Sequence, residues 1–165
     1  MEYAAAVTLP NGDCLITGGY QSTAVAVNTV YKYISQTNDV IEKKSMNVSR
    51  CCHAAVAYGN TVFAMGGYSG SADLTSCEAY DIFKDEWNYV KSMNIKKRSF
   101  AATVVNNQFI YTFGGHDGSN DLDTIEKYDI SENAWELLDI KLNSINRECD
   151  CFCPEPDIVI VLGGS

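Results

Sequence analysis

Histidine and proline are both scarce, with 2 and 3 among 165 residues. Two histidines on different elements fall short of the roughly four close-spaced ligands of a structural zinc site, so no metal and no cofactor is expected. No run approaches the roughly 18 apolar residues of a membrane-spanning helix. Met1 to Ala6 lack the basic region and long apolar run of a secretory signal. Basic charge is in deficit too: 12 Lys and Arg against 21 Asp and Glu leave a net charge of −9. The single dense basic cluster, Lys96-Lys97-Arg98, is too short to reverse that. Nucleic acid is therefore excluded as a partner, because its affinity rests on neutralising phosphates. An acidic surface steers instead towards a protein with basic or mixed side chains. Catalytic signatures are missing as well: no nucleophile elbow, phosphate-binding loop or His-Glu-x-x-His occurs. No segment of helical period is long enough to be a main element.

What is present is ordinary for one domain with a core: 46% hydrophobic and 20% charged residues, with 10 Tyr and 6 Phe that favour strands. Seven cysteines make an odd number, without the spacing of a small secreted framework. The thiols are expected to be reduced and the chain cytoplasmic. Asn47-Val48-Ser49 matches a glycosylation sequon, a match common by chance.

The strongest signal is self-similarity. Adjacent glycines occur at Gly18-Gly19, Gly66-Gly67, Gly114-Gly115 and Gly163-Gly164, in steps of 48, 48 and 49 residues. Tyr33, Tyr80 and Tyr128 follow the second glycine by 13 or 14 residues, and Val40, Trp87 and Trp135 follow the tyrosines by 7. Arg50, Arg98 and Arg147 each precede a glycine pair by 16 residues, with Met46, Met93 and Leu142 just ahead of them. Each unit reads as four antiparallel strands. A small apolar run (Ala4 to Val7, His53 to Val56, Phe100 to Val104) leads through a polar turn to a strand ending on the glycines. A variable loop, a tyrosine strand and a tryptophan strand follow.

Gly114-Gly115-His116-Asp117-Gly118, Leu122, Glu126, Tyr128-Asp129, Asn133, Trp135 and Arg147 resemble the kelch repeat, as do Gly66-Gly67-Tyr68, Leu74, Glu78, Tyr80-Asp81, Trp87, Met93 and Arg98. The wording is most similar to kelch repeats found behind BTB domains in ubiquitin-ligase adaptors. The resemblance implies an all-β fold: a partial kelch β-propeller of three four-stranded blades plus a half blade. One domain spans 1–165, with repeats 2–46, 50–93 and 98–142 and a half repeat 147–165. The first unit departs, with Glu2 at the arginine position, Val40 at the tryptophan position and no Asp-Gly step in its loop. Three and a half blades are too few to close a ring of about 4 to 8. The chain is read as a fragment of a longer propeller, with self-association through a second copy as the other route to closure. No BTB or BACK segment is found in these residues.

The glycine pairs, tyrosines, tryptophans and arginines are read first as blade architecture, the arginines capping strand carbonyls. His53 is placed near the central axis and His116 on an exposed loop. Cys149, Cys151 and Cys153 are expected on one face of a strand, as small buried residues more than as metal ligands. Cys51 and Cys52 are expected to point to opposite sides. Some kelch propellers are enzymes, and the copper type needs a histidine pair this sequence lacks, so no enzyme is expected. The function implied by the resemblance is protein recognition from variable loops on a rigid scaffold. The candidate residues are Tyr20, Gln21, Tyr68, Ser69, His116, Asp117, Ser119 and Asn120 after the glycine pairs. Arg50, Arg98 and Arg147 join them where the innermost strands begin. A substrate receptor in ubiquitin ligation is one expression of this role, and a cytoskeletal, actin-associated protein is the alternative.

Overall fold

The structure, a computed structural model, describes residues 2–21, 25–144, 148–155 and 158–163. Among the described residues fourteen strands form three four-stranded antiparallel sheets and one two-stranded sheet, each in chain order. Blade 1 holds β1 (Ala5–Thr8), β2 (Cys14–Thr17), β3 (Val30–Ile34) and β4 (Asp39–Lys43). Blade 2 holds β5 (Ala54–Tyr58), β6 (Thr61–Met65), β7 (Cys77–Asp81) and β8 (Glu86–Val90). Blade 3 holds β9 (Ala101–Val105), β10 (Phe109–Phe113), β11 (Thr124–Asp129) and β12 (Ala134–Lys141). The half blade pairs β13 (Asp150–Glu155) with β14 (Ile158–Leu162). The innermost strands β1, β5, β9 and β13 neighbour one another in turn. This is the partial propeller that the repeat predicts, and among the described residues no helix is long and apolar enough to cross a membrane.

Two blades meet through apolar faces that neither could bury alone. Leu15 and Val30 of blade 1 pack against Val62, Ala64, Tyr80 and Trp87 of blade 2. Val56, Phe63 and Met65 of blade 2 meet Ile110 and Tyr128 of blade 3. Burial of one such side chain contributes about 1.5–3 kcal/mol. The half blade covers Ala101, Phe113 and Ile125 with Cys149, Cys151, Val159 and Val161. Its other face leaves Phe152, Ile158, Ile160 and Leu162 exposed.

The tyrosine and tryptophan columns form a clamp on the neighbouring blade. Tyr80 donates to Asp85 at 2.5 Å, and Asp85 accepts the Lys44 N–H at 3.0 Å. Trp87 Nε1–H donates to the carbonyl of the same Lys44 at 2.9 Å. One blade on, Tyr128 donates to Asn133, Asn133 accepts the Lys91 N–H, and Trp135 donates to the Lys91 carbonyl, all within 2.7–2.8 Å. The residues after β4 and β8, Lys44 and Lys91, are thus gripped at both backbone atoms by the next blade.

A second device fixes the connectors. Arg50 and Glu78 form an ion pair at 2.8 Å with both side chains 0% exposed, and Lys97 and Glu126 do the same at 2.8 Å. Glu78 also accepts the N–H groups of Asn47 and Val48, and Glu126 that of Asn94. Arg50 Nη1 caps the carbonyls of Gly66 and Ser76 at 2.6 and 3.0 Å. Burial pushes the Lys97 ammonium below its usual range, against the pull of Glu126. Removing one charge of such a pair leaves the other stranded. Glu78→Leu is expected to cost about 3–5 kcal/mol in chemical denaturation, and the double variant Arg50→Met/Glu78→Leu to recover part of it.

Candidate functional site

The chain enters each innermost strand through a residue with left-handed backbone: Tyr3 (φ 55°), Cys52 (φ 51°), Ser99 (φ 52°) and Glu148 (φ 56°). These four residues bond in series around the axis. Glu148 N–H donates to the Ser99 carbonyl at 2.8 Å, Ser99 N–H to Cys52 at 2.8 Å, and Cys52 N–H to Tyr3 at 2.9 Å. The unfavourable φ of a non-glycine residue is compensated by this belt.

Just before each belt residue, the chain bridges to the residue following a glycine pair: Glu2 to Tyr20, Cys51 to Tyr68 and Arg98 to His116. The glycines make the approach possible. A Cβ on Gly67 would lie 2.6 Å from the Cys51 carbonyl and 2.7 Å from His53 Cβ. Tyr20, Tyr68 and His116 are thereby brought together on one rim. With Tyr3, Cys51, Cys52, Arg98, Ser99 and Glu148 they line a cavity of about 350 Å³ around the axis.

The rim is ordered by its own contacts. The Arg98 guanidinium lies 5.3 Å from the centroid of the Tyr68 ring and bonds Asp73 at 2.5 Å. His116 Nδ1 meets Asp121 at 2.8 Å, and its side chain is mostly buried, not exposed as expected of a loop histidine. Tyr3 packs edge-on against Tyr20 at 6.3 Å. Burial and the neighbouring Cys51 thiol push the Tyr20 phenol up to about 12, and burial pushes Cys52 up to about 11. Both groups are neutral at physiological pH. The loops beyond carry Ser69, whose Oγ accepts the Ala72 N–H, and Asp117, whose carboxylate accepts the N–H groups of Ser119 and Asn120. Those turns hold Asp117 below the usual carboxylate range. Gln21, Ser119 and Asn120 are exposed at the outer edge.

Two sequence expectations are corrected here. Arg50 does not reach the mouth: it is fully buried against Glu78. The β5–β6 turn closes Tyr58 onto Thr61 with two residues, whereas β9–β10 closes Val105 onto Phe109 with three. Counting 16 back from Gly66 therefore lands one position early, and the true counterpart of Arg98 is Cys51. Cys51 and Cys52 do not point to opposite sides either. The left-handed backbone at Cys52 lets both line the cavity. Arg147 lies outside the described residues. Tyr3, Cys52, Ser99 and Glu148 differ in every unit, so the repeat pattern does not mark them as cavity residues; their shared feature is their place just ahead of each small apolar run.

His53 sits deeper, its Nε2 2.8 Å from Thr17 Oγ1 across the blade 1–blade 2 interface. Burial and the nearby Arg50 charge lower its pKa to about 3, so the folded protein holds it neutral. All seven cysteines are free, and among the described residues no group of three potential ligands could hold a metal ion. Because His53 protonates at about 6.5 when unfolded, its stabilising effect is complete above that pH and erodes as pH falls towards 3. Denaturation at pH 5 is expected to show about 2 kcal/mol less stability than at pH 7, and His53→Gln to remove that difference.

The profile of the KLHDC2/KLHL20/DRC7 Kelch-repeats domain matches residues 1–164. Human Kelch-like protein 6 is 33% identical over 99 residues, which are 60% of this chain and 15% of that protein. Human Kelch-like protein 23 is 34% identical over 88 residues, 53% of this chain and 16% of that protein. A cowpox virus (strain GRI-90 / Grishak) protein, Kelch repeat and BTB domain-containing protein 2, is 26% identical over 117 residues, 64% of this chain and 21% of its own length. The chain thus spans about a fifth or less of the curated relatives it matches.

Proposed function

Given that this chain belongs to the kelch-repeat family, and with it to a class of protein-interaction modules, we propose that the rim of the axial cavity binds a partner protein. The observation that carries this reading is the convergence of Tyr20, Tyr68 and His116, one residue from each of three blades, on one preordered rim. Aromatic and arginine side chains held rigid over a cavity are the residue types that anchor protein partners. The half-buried Arg98 and the outer positions Gln21, Ser69, Asp117, Ser119 and Asn120 complete the surface. The net charge of −9 suits a partner with basic or mixed side chains.

In its finer form the module is a substrate receptor in ubiquitin ligation, read in a cytoplasmic setting. Support comes from relatives such as the cowpox virus protein, whose name pairs kelch repeats with a BTB domain. The uncovered apolar face of Phe152, Ile158, Ile160 and Leu162 supports self-association as a further part of the reading. Light scattering giving twice the chain mass, reduced to one chain by Ile160→Lys, is the sign of it.

The test of the main reading is a partner captured by proximity labelling and then titrated in purified form. Tyr68→Ala is expected to weaken binding at least about tenfold, or 1.4 kcal/mol. Tyr89→Ala, exposed on the outer strand of blade 2, is expected to leave it unchanged. Equal affinity of wild type and Tyr68→Ala would move the site elsewhere.

A further inference from the structure

The mouth contains an internal example of how it holds a cation. Arg98, entering blade 3, lies over the ring of Tyr68 in blade 2 and is anchored by Asp73, the residue bridged to Tyr68 across its loop. The same three positions exist one blade earlier. Tyr20 keeps the aromatic ring, but Cys51 stands at the arginine position and Ala26, bridged to Tyr20, at the aspartate position. Both halves of the ion pair are missing there together, while the ring remains. The Tyr20 ring borders the cavity, with Tyr3 edge-on beside it. Tyr3 is 63% exposed, so this corner opens to solvent.

Charge favours an external cation at that vacancy. Arg98 already has Asp73 and His116 has Asp121. Glu148, exposed on the cavity wall, has no cation among the described residues. The Tyr20 phenol and the Cys52 thiol stay neutral, and so offer a ring face without competing charge from either. A guanidinium or ammonium over a tyrosine gains most when it is partly desolvated, and the Glu148 carboxylate on the same cavity wall adds to its attraction.

We propose that the Tyr20–Tyr3 corner of the axial cavity receives an arginine or lysine side chain of the partner protein, in the place that Arg98 fills over Tyr68. This rests on the mouth being the partner site and adds what the partner must present there.

The probes are four pentapeptides, Gly-Gly-X-Gly-Gly with X as Arg, Lys, Gln or Glu, titrated at low salt while the tyrosine ring resonances are followed by NMR. The Arg and Lys peptides are expected to shift the Tyr20 and Tyr3 signals saturably, at least about tenfold more tightly than the Gln and Glu peptides. Tyr20→Phe keeps the effect and Tyr20→Leu removes it. Ala26→Asp/Cys51→Arg, which rebuilds the internal pair over Tyr20, removes it as well; its thermal melt verifies folding, and Tyr20→Leu gives the same answer independently. Equal response to all four peptides at Tyr20, Tyr68 and His116 would overturn the cation requirement and leave the mouth as the binding site. No saturable shift at Tyr20 up to about 10 mM would also overturn it, while the Tyr68→Ala titration decides the wider reading separately.

Discussion

The fold depends on a buried cation being matched by a carboxylate at the two junctions between full blades. Glu78 and Glu126 sit on third strands, yet what they hold is the connector leading into their own blade's innermost strand. Arg50 and Lys97 supply the charge that makes burying those carboxylates tolerable. A desolvated pair adds little net stability over an apolar substitute, but a mismatched one is costly. The pairs therefore act mainly on geometry. They place the residues that follow, Cys51 and Arg98, at a fixed height beside the glycine pairs, and the mouth inherits that height.

Rigidity then passes outward through two further layers. The left-handed belt ties the blades near the axis, and the tyrosine–tryptophan clamp ties them at the perimeter. Between the two, apolar faces fill the space. Loops anchored on such a frame can change sequence without moving their bases, which is how Tyr20, Tyr68 and His116 differ in chemistry and still share one rim.

The architecture was legible because its physical demands recur. Glycines must sit where a Cβ would strike a carbonyl, tryptophan must reach a neighbour's backbone, and tyrosine must hold the side chain that grips the same residue, so their spacing survives in every unit that has them. The mouth was legible only in part. Tyr68 and His116 follow directly from the glycine pairs, but a constant spacing of 16 puts Arg50 on the rim because it does not register a turn one residue shorter. The pairing of Glu78 with Arg50, and of Glu126 with Lys97, joins residues 28 and 29 positions apart, a separation that strand periodicity does not reveal. The strand alternation that sends Cys51 and Cys52 to opposite sides does not hold at Cys52, whose φ is positive.

The belt from Glu148 to Tyr3 carries a sense of rotation. Every link runs from an amide of the later blade to a carbonyl of the earlier one, so the series has a donor pole at Tyr3 and an acceptor pole at Glu148. A neighbour that continues the series past blade 1 brings a carbonyl to that level, and one that continues it past the half blade brings an amide. The two flanks of the molecule are consequently not interchangeable: a neighbour built to extend one is wrongly polarised for the other, and accretion can proceed in a single handed order only.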